Sequence, residues 1–203
     1  MRNKLLWFSA AVLLMVSGSA AADRWVIEAG SLYLEQPGKA RRAVELPGWH
    51  WAGEPYACAP DIAVGPRGEV VVTSNVLPVL WKIDPQTLAV SVHPLQLDAD
   101  SDKDVGFSGL VYSERNGAYF AVSGLHGTLW RIDPLLRRAQ KIALAEPVRG
   151  ACSLSMQRQE RTSRFSRLCL DGKNVNLAPD QRSAYVQTAD CSPDEFVLIG
   201  GKK

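Results

Sequence analysis

Two stretches of the chain decide its fold. Asp61–Pro85 reads DIAVGPRGEVVVTSNVLPVLWKIDP, and Leu110–Pro134 reads LVYSERNGAYFAVSGLHGTLWRIDP. They align without a gap. Gly68 falls on Gly117, Ser74 on Ser123, Leu80-Trp81 on Leu129-Trp130, and Ile83-Asp84-Pro85 on Ile132-Asp133-Pro134. Lys82 falls on Arg131, so the charge is kept. Self-similarity at a fixed spacing is the mark of a repeat architecture. A third copy is expected at 176–199, NLAPDQRSAYVQTADCSPDEFVLI, with Tyr185-Val186 set on Tyr119-Phe120 and Phe196-Val197-Leu198 set on Trp130-Arg131-Ile132.

Each copy divides into short strands. The first gives Asp61–Val64, Glu69–Ser74, Leu80–Ile83 and Ala89–His93, punctuated by Pro66-Arg67-Gly68, Asn75–Pro78 and Asp84–Thr87. The second gives Gly109–Ser113, Ala118–Ser123, Leu129–Ile132 and Ala139–Ala143. Val, Tyr, Phe, Trp and Thr suit a pleated, packed surface, and Gly, Pro, Asn and Asp break it. No stretch after residue 22 keeps a 3.6-residue apolar period over three turns. Four short strands per unit of about 45 residues describe a β-propeller blade. The fold expected is therefore all-β, a small propeller of about four blades within one domain, 23–203. Its ring is either incomplete or closed by the N-terminal strand Arg24–Glu28, joining the last blade beside Phe196–Ile199. Segments 31–36 and 40–46 would begin the first unit.

The pair VVVTSN at 70–75 and LWKIDPQT at 80–87 resembles a blade of the YVTN-type (YVTN or NHL-like) β-propeller repeat family. Blades of that family carry a Tyr-Val-Thr-Asn-like strand, a short loop and an Ile-Asp-x-x-Thr tail. Asn75 stands at the Asn position, and Ile83, Asp84 and Thr87 match the tail. The second copy keeps Ile132-Asp133-Pro134 but has Gly124 in place of Asn. The resemblance covers 58–143 well and 174–200 poorly. Its motifs imply how a blade folds and name no ligand.

The N-terminus predicts the compartment. Met1–Lys4 is basic, Leu5–Val16 is apolar and Ser17–Ala22 is small, the order of a secretory signal peptide. The apolar run is shorter than the roughly 20 residues of a bilayer span. Cleavage after Ala22 leaves no membrane span and predicts a periplasmic or secreted protein. Removing Arg2 and Lys4 leaves 21 basic residues against 21 acidic ones. A neutral chain has no global field to draw in nucleic acid, so none is expected as a partner. With 46% hydrophobic and 22% charged residues, the chain is neither disordered nor a polytopic membrane protein.

Four cysteines, Cys58, Cys152, Cys169 and Cys191, imply two disulfides in an oxidising compartment. Three pairings exist. A hairpin of 152–158 with 164–170 would favour Cys152 with Cys169, leaving Cys58 for Cys191. No CxxC or nearby His pair points to a metal instead.

Three features are candidate sites. Trp49-His50-Trp51 lies in a Gly/Pro-rich loop and reads either as a partner-binding face or as a loop plugging the core. Arg158, Arg161, Arg164 and Arg167 make a cationic prong that docks an acidic partner or only solubilises a loop. Asp98, Asp100, Asp102 and Asp104 alternate as calcium ligands do. Yet Lys103 and Asp104 stand where the glycine should be, and a solvated acidic loop joining two blades accounts for them better. Calcium is thus the one possible cofactor and no other is expected. His50, His93 and His126 form no HxH or HExxH motif, and no GxSxG, P-loop or GxGxxG occurs.

Two functions follow. One is a non-enzymatic binding or scaffold propeller that holds another exported protein and has no catalytic residue. The alternative is a propeller enzyme, resembling lactonases or quinoprotein dehydrogenases, with a metal or cofactor at the central channel. Its candidate channel groups are Asp61, Asn174 and Asn176.

Overall fold

The computed structural model describes residues 23–28, 31–53, 56, 58–98, 106–157 and 166–191. These form sixteen strands and, among the described residues, no helix. They group into four antiparallel units in chain order. The first is β1 (Arg24–Glu28), β2 (Ser31–Glu35) and β3 (Arg42–Val44). The second is β4 (Ile62–Val64), β5 (Val70–Val72), β6 (Val79–Ile83) and β7 (Val90–Pro94). After the short β8 (Gln96–Leu97), the third is β9 (Gly109–Ser113), β10 (Ala118–Ser123), β11 (Thr128–Ile132) and β12 (Arg138–Leu144). The fourth is β13 (Leu154–Met156), β14 (Ser166–Leu170), β15 (Lys173–Leu177) and β16 (Ser183–Asp190).

Strand alternation explains how the units stack. Successive side chains of a strand point to opposite faces. Leu80 faces the third unit, in a cluster with Phe107, Tyr119 and Trp130. Its neighbour Trp81 faces the first unit, in a cluster with Leu32 and Val44. The second copy repeats this. Trp130 faces back to the second unit, and Leu129 faces forward to Leu154, Leu168 and Val175 of the fourth. Each Leu-Trp pair therefore serves two interfaces, and both its residues are buried. Burial of this kind is worth about 1.5–3 kcal/mol per large apolar side chain.

The inner strands adjoin one another, β4 beside β9 and β9 beside β13. At the rim the units are stitched by short parallel pairings, β8 with the start of β12 and the end of β12 with the start of β16.

Three expectations bear on this arrangement. First, β1 pairs with β2 inside the first unit, and the neighbour expected for it in the last blade, 196–199, lies outside the described residues. Second, the third copy is set in another register. Its strands begin at β13, and the hairpin expected as an insertion supplies the unit's first two strands. Leu177-Ala178-Pro179 takes the place of Ile132-Asp133-Pro134. The Ala178 N–H donates to the Ser183 carbonyl as Asp133 N–H does to Arg138 and Asp84 N–H does to Ala89. A non-glycine residue with positive φ precedes the outer strand in each case: Leu88, Leu136 and Gln181.

Third, the disulfides join Cys58 to Cys152 and Cys169 to Cys191, with Cα separations of 5.1 and 5.9 Å. The predicted hairpin exists, but its register sets Cys169 opposite Ser155. Cys152 lies before the strand, where Asp171 accepts its N–H and that of Ser153. Cys152 and Cys169 are therefore not across from each other.

Candidate functional site

The second and third units differ most where their second strand turns into the third. In the second unit this corner is Thr73-Ser74-Asn75, and loop 47–58 lies against it. The Trp49 indole N–H donates to the Thr73 carbonyl at 2.8 Å. The Trp81 indole N–H donates to the Pro47 carbonyl at 2.8 Å. Ser74 Oγ donates to the His50 carbonyl. The Asn75 side chain accepts from Ala52 N–H at 3.0 Å and donates to the carbonyls of Ala52 and Cys58. One amide thus closes a two-way bridge with Ala52 and reaches a third residue as well.

The loop therefore has one anchored ring. Trp49 is half-buried and packs against the cluster around Trp81. Trp51 and Tyr56 are half-buried, and His50 is exposed. Trp49 carries the packing role, His50 is exposed, and Trp51 keeps part of its ring accessible.

In the third unit Gly124 occupies the Asn position. A Cβ there would lie 2.8 Å from the Ala151 carbonyl oxygen and 3.1 Å from Cys58 Sγ. The space that an Asn side chain would need holds the Cys58–Cys152 disulfide. Ser108 Oγ accepts the Gly124 N–H and donates toward the Ala151 and Val122 carbonyls.

Asp61 opens β4 at the same end. Its carboxylate accepts the Ile62 N–H at 2.7 Å and the Leu110 N–H at 2.8 Å, linking the innermost strands of two units. Burial pushes its carboxyl up to about 6, against the pull of those two donors. Asn174 and Asn176, expected near innermost strands, instead sit on β15, the third strand of its unit. The channel group of the enzyme reading therefore shrinks to Asp61.

Away from this end, Arg67, Glu69, Lys82, Asp84 and Ser91 line an open depression of about 420 Å³. Behind it the Tyr119 hydroxyl is buried without a hydrogen-bond partner. Burial, then the Glu69 charge, push that phenol above its ordinary value. Ser91 Oγ and His93 Nε2 are 2.9 Å apart, and burial followed by Lys82 lowers the imidazole.

The other candidates fare unequally. Asp98 is committed to the third unit, where its Oδ1 accepts the Lys141 N–H at 2.8 Å. Asp100, Asp102 and Asp104 lie outside the described residues, as do Arg158, Arg161 and Arg164. Arg167 is exposed on β14. Among the described residues no three His, Cys, Asp or Glu side chains stand close enough to hold a metal. Sequence reasoning missed Ser108 and the role of Gly124. Only the broken Asn in the second copy signalled either.

Solved structures with this arrangement include virginiamycin B lyase from Staphylococcus aureus, with 13% identity and a TM-score of 0.61 over 84% of this chain and 53% of that one. A streptogramin B lyase follows, with 14% identity and a TM-score of 0.55 over 81% and 50%. The fold is that of a β-propeller. The extracellular domain of BT4673 from B. thetaiotaomicron also superposes, with 12% identity and a TM-score of 0.54 over 86% of this chain and 23% of that one. The propeller chain described here spans about half the length of the two lyases. No family model and no curated protein matches it. Two disulfides agree with an oxidising compartment.

Proposed function

We propose that this chain is an exported, non-enzymatic binding or scaffold module built from YVTN-type repeats, and that loop 47–58 holds another exported protein. The observation that carries this reading is the anchoring of the loop. Four side-chain hydrogen bonds from or to Ser74 and Asn75 hold the backbone of His50, Ala52 and Cys58, and the Trp49 indole adds a fifth to the Thr73 carbonyl, while His50 is exposed and Trp51 half-buried. A loop fixed before it binds loses less entropy on binding. Aromatic residues in such a position are the usual anchors of protein interfaces. The signal-like sequence of 1–22 and the two disulfides support a periplasmic or secreted location.

The test is capture from a periplasmic extract by the exported protein, with His50→Ala/Trp51→Ala as the comparison. A defined partner retained by the parent and lost by the variant supports the reading. Equal capture by both overturns it.

One observation favours the enzyme as a second reading. Asp61, with its raised carboxyl, stands at the inner end of two units where an acid or base would be useful. A lyase or hydrolase activity that Asp61→Asn abolishes, in a protein with unchanged melting, would put this reading first.

A further inference from the structure

The two disulfides differ in access. Cys169 and Cys191 are both buried, at 2% and 7% exposure. Cys58 is buried too, at 3%, but its partner Cys152 is exposed. Gly150 before it and Ser153 after it are exposed as well. The Cys58–Cys152 bond therefore joins a covered sulfur to a residue that solvent reaches, and an incoming group can approach it only from the Cys152 side.

Both of its ends are also held without the bond. The Asp171 carboxylate accepts the Cys152 N–H at 2.8 Å, the Ser153 N–H at 2.7 Å and the Ser153 hydroxyl at 2.8 Å. The Cys58 carbonyl accepts from the Asn75 side chain at 2.9 Å, and the Cys58 N–H donates to the Tyr56 carbonyl. Opening the bond leaves Cys152 tied to the turn between β14 and β15, and Cys58 tied to the corner of the second unit.

We propose that Cys152 Sγ is a thiol-exchange site whose substrate is a thiolate, supplied by a small thiol or by a cysteine of another protein. The thiolate is the reactive form, and access decides which sulfur it attacks. It bonds to Cys152 Sγ and the S–S bond breaks. The electron pair leaves with Cys58 Sγ, which takes a proton from water. The incoming thiol is oxidised to one half of a mixed disulfide, and Cys58 is reduced. The step reverses when the Cys58 thiolate attacks Cys152 Sγ and expels the thiol. The two tied backbones keep those sulfurs within reach of each other, so exchange is reversible without unfolding. While the bond is open, loop 47–58 keeps its Asn75 link to the second unit and loses its link to the loop before the fourth. This exchange is independent of what loop 47–58 binds.

The test is reduction of the oxidised full chain at neutral pH without denaturant, by reduced glutathione in one arm and reduced thioredoxin in the other. Free thiols are alkylated over time and assigned by peptide mass. Cys58–Cys152 is expected to open about tenfold faster than Cys169–Cys191, or more. Glutathione is expected on Cys152, and removing it should restore the Cys58–Cys152 bond. Opening by glutathione assigns a small thiol as the substrate, and opening by thioredoxin alone assigns a protein cysteine. Equal rates for the two bonds, glutathione on Cys58, or no opening in either arm overturns the proposal. Cys58→Ser should take up glutathione from its disulfide at Cys152, whereas Cys152→Ser should take up none at Cys58. The two rates in the parent protein decide the matter even if a variant fails to fold.

Discussion

Asn75 and Gly124 occupy the same corner of adjacent units and hold it together by different means. Asn75 uses one amide to join its corner to the backbone of Ala52 and Cys58. Gly124 gives its side-chain space to the sulfur of Cys58, and a covalent bond to Cys152 does the joining. The pairing is not accidental, because Cys58 takes part in both corners. Its carbonyl accepts from Asn75, and its sulfur sits beside Gly124. One residue thus ties loop 47–58 to the second unit and to the loop before the fourth. A repeat motif lost in one unit can mark a site where the fold has substituted a stronger link.

The largest expected effect comes from breaking the covalent corner. Cys58→Ser/Cys152→Ser releases a crosslink spanning 94 residues. In the chain-entropy model a closure of that length is worth about 4–5 kcal/mol. Urea unfolding should show a loss of that order, and a loss below about 1 kcal/mol would mean that the corner is held by packing. Asn75→Ala should cost less, about 2–3 kcal/mol, because it strands the Ala52 amide and two carbonyls. The same melts in the two backgrounds combined sharpen the comparison. The costs should not add, since both act on Cys58.

The smallest effect is a dependence on pH. The Asp61 carboxyl has an ordinary value near 4 in the unfolded chain and about 6 in the fold. Between those values the folded state keeps a proton that the unfolded state has lost. The stabilising contribution is therefore complete below about pH 4 and lost as pH rises to about 6. The loss is on the order of 2 kcal/mol. Asp61→Asn should flatten that part of the stability curve. An unchanged curve would show that the carboxyl is better solvated than its position between β4 and β9 implies.

Much of the second and third units could be read from sequence. The predicted strands Gly109–Ser113 and Ala118–Ser123 coincide with β9 and β10. Alternation and turn residues carry that information locally. The fourth unit could not be read in the same way, because its turn chemistry had moved. In the third unit the Asp133 carboxylate accepts the N–H groups of Leu135, Arg137 and Arg138. At the matching position Ala178 has no carboxylate, and Asp180 accepts the Arg182 N–H instead. The motif slid by two residues while the backbone path stayed. Without its Asp the copy lost its landmark, and Tyr185-Val186 was placed on the wrong strand.

Disulfide pairing failed for a related reason. A hairpin can be predicted from turn residues, but a slip of a few residues in register changes which side chains meet. The candidate site was legible only in part. Trp49-His50-Trp51 stood out by composition. That Trp49 is spent on packing, and His50 is left outside, depends on contacts with Thr73 and Ser74 some 24 residues away. No local pattern encodes those contacts.

The Leu-Trp pair at the centre of the third strand in the second and third units has a consequence for how such a chain can change. Because Trp81 looks backward and Leu80 looks forward, a single unit carries one half of each neighbouring joint. Inserting a further unit with such a pair between the second and third therefore leaves both new joints with a Leu half and a Trp half. Lengthening by duplication requires no redesign of the interior, whereas a shift by part of a unit would turn Trp toward Trp. The period of the sequence is thus also the smallest step by which this architecture can grow.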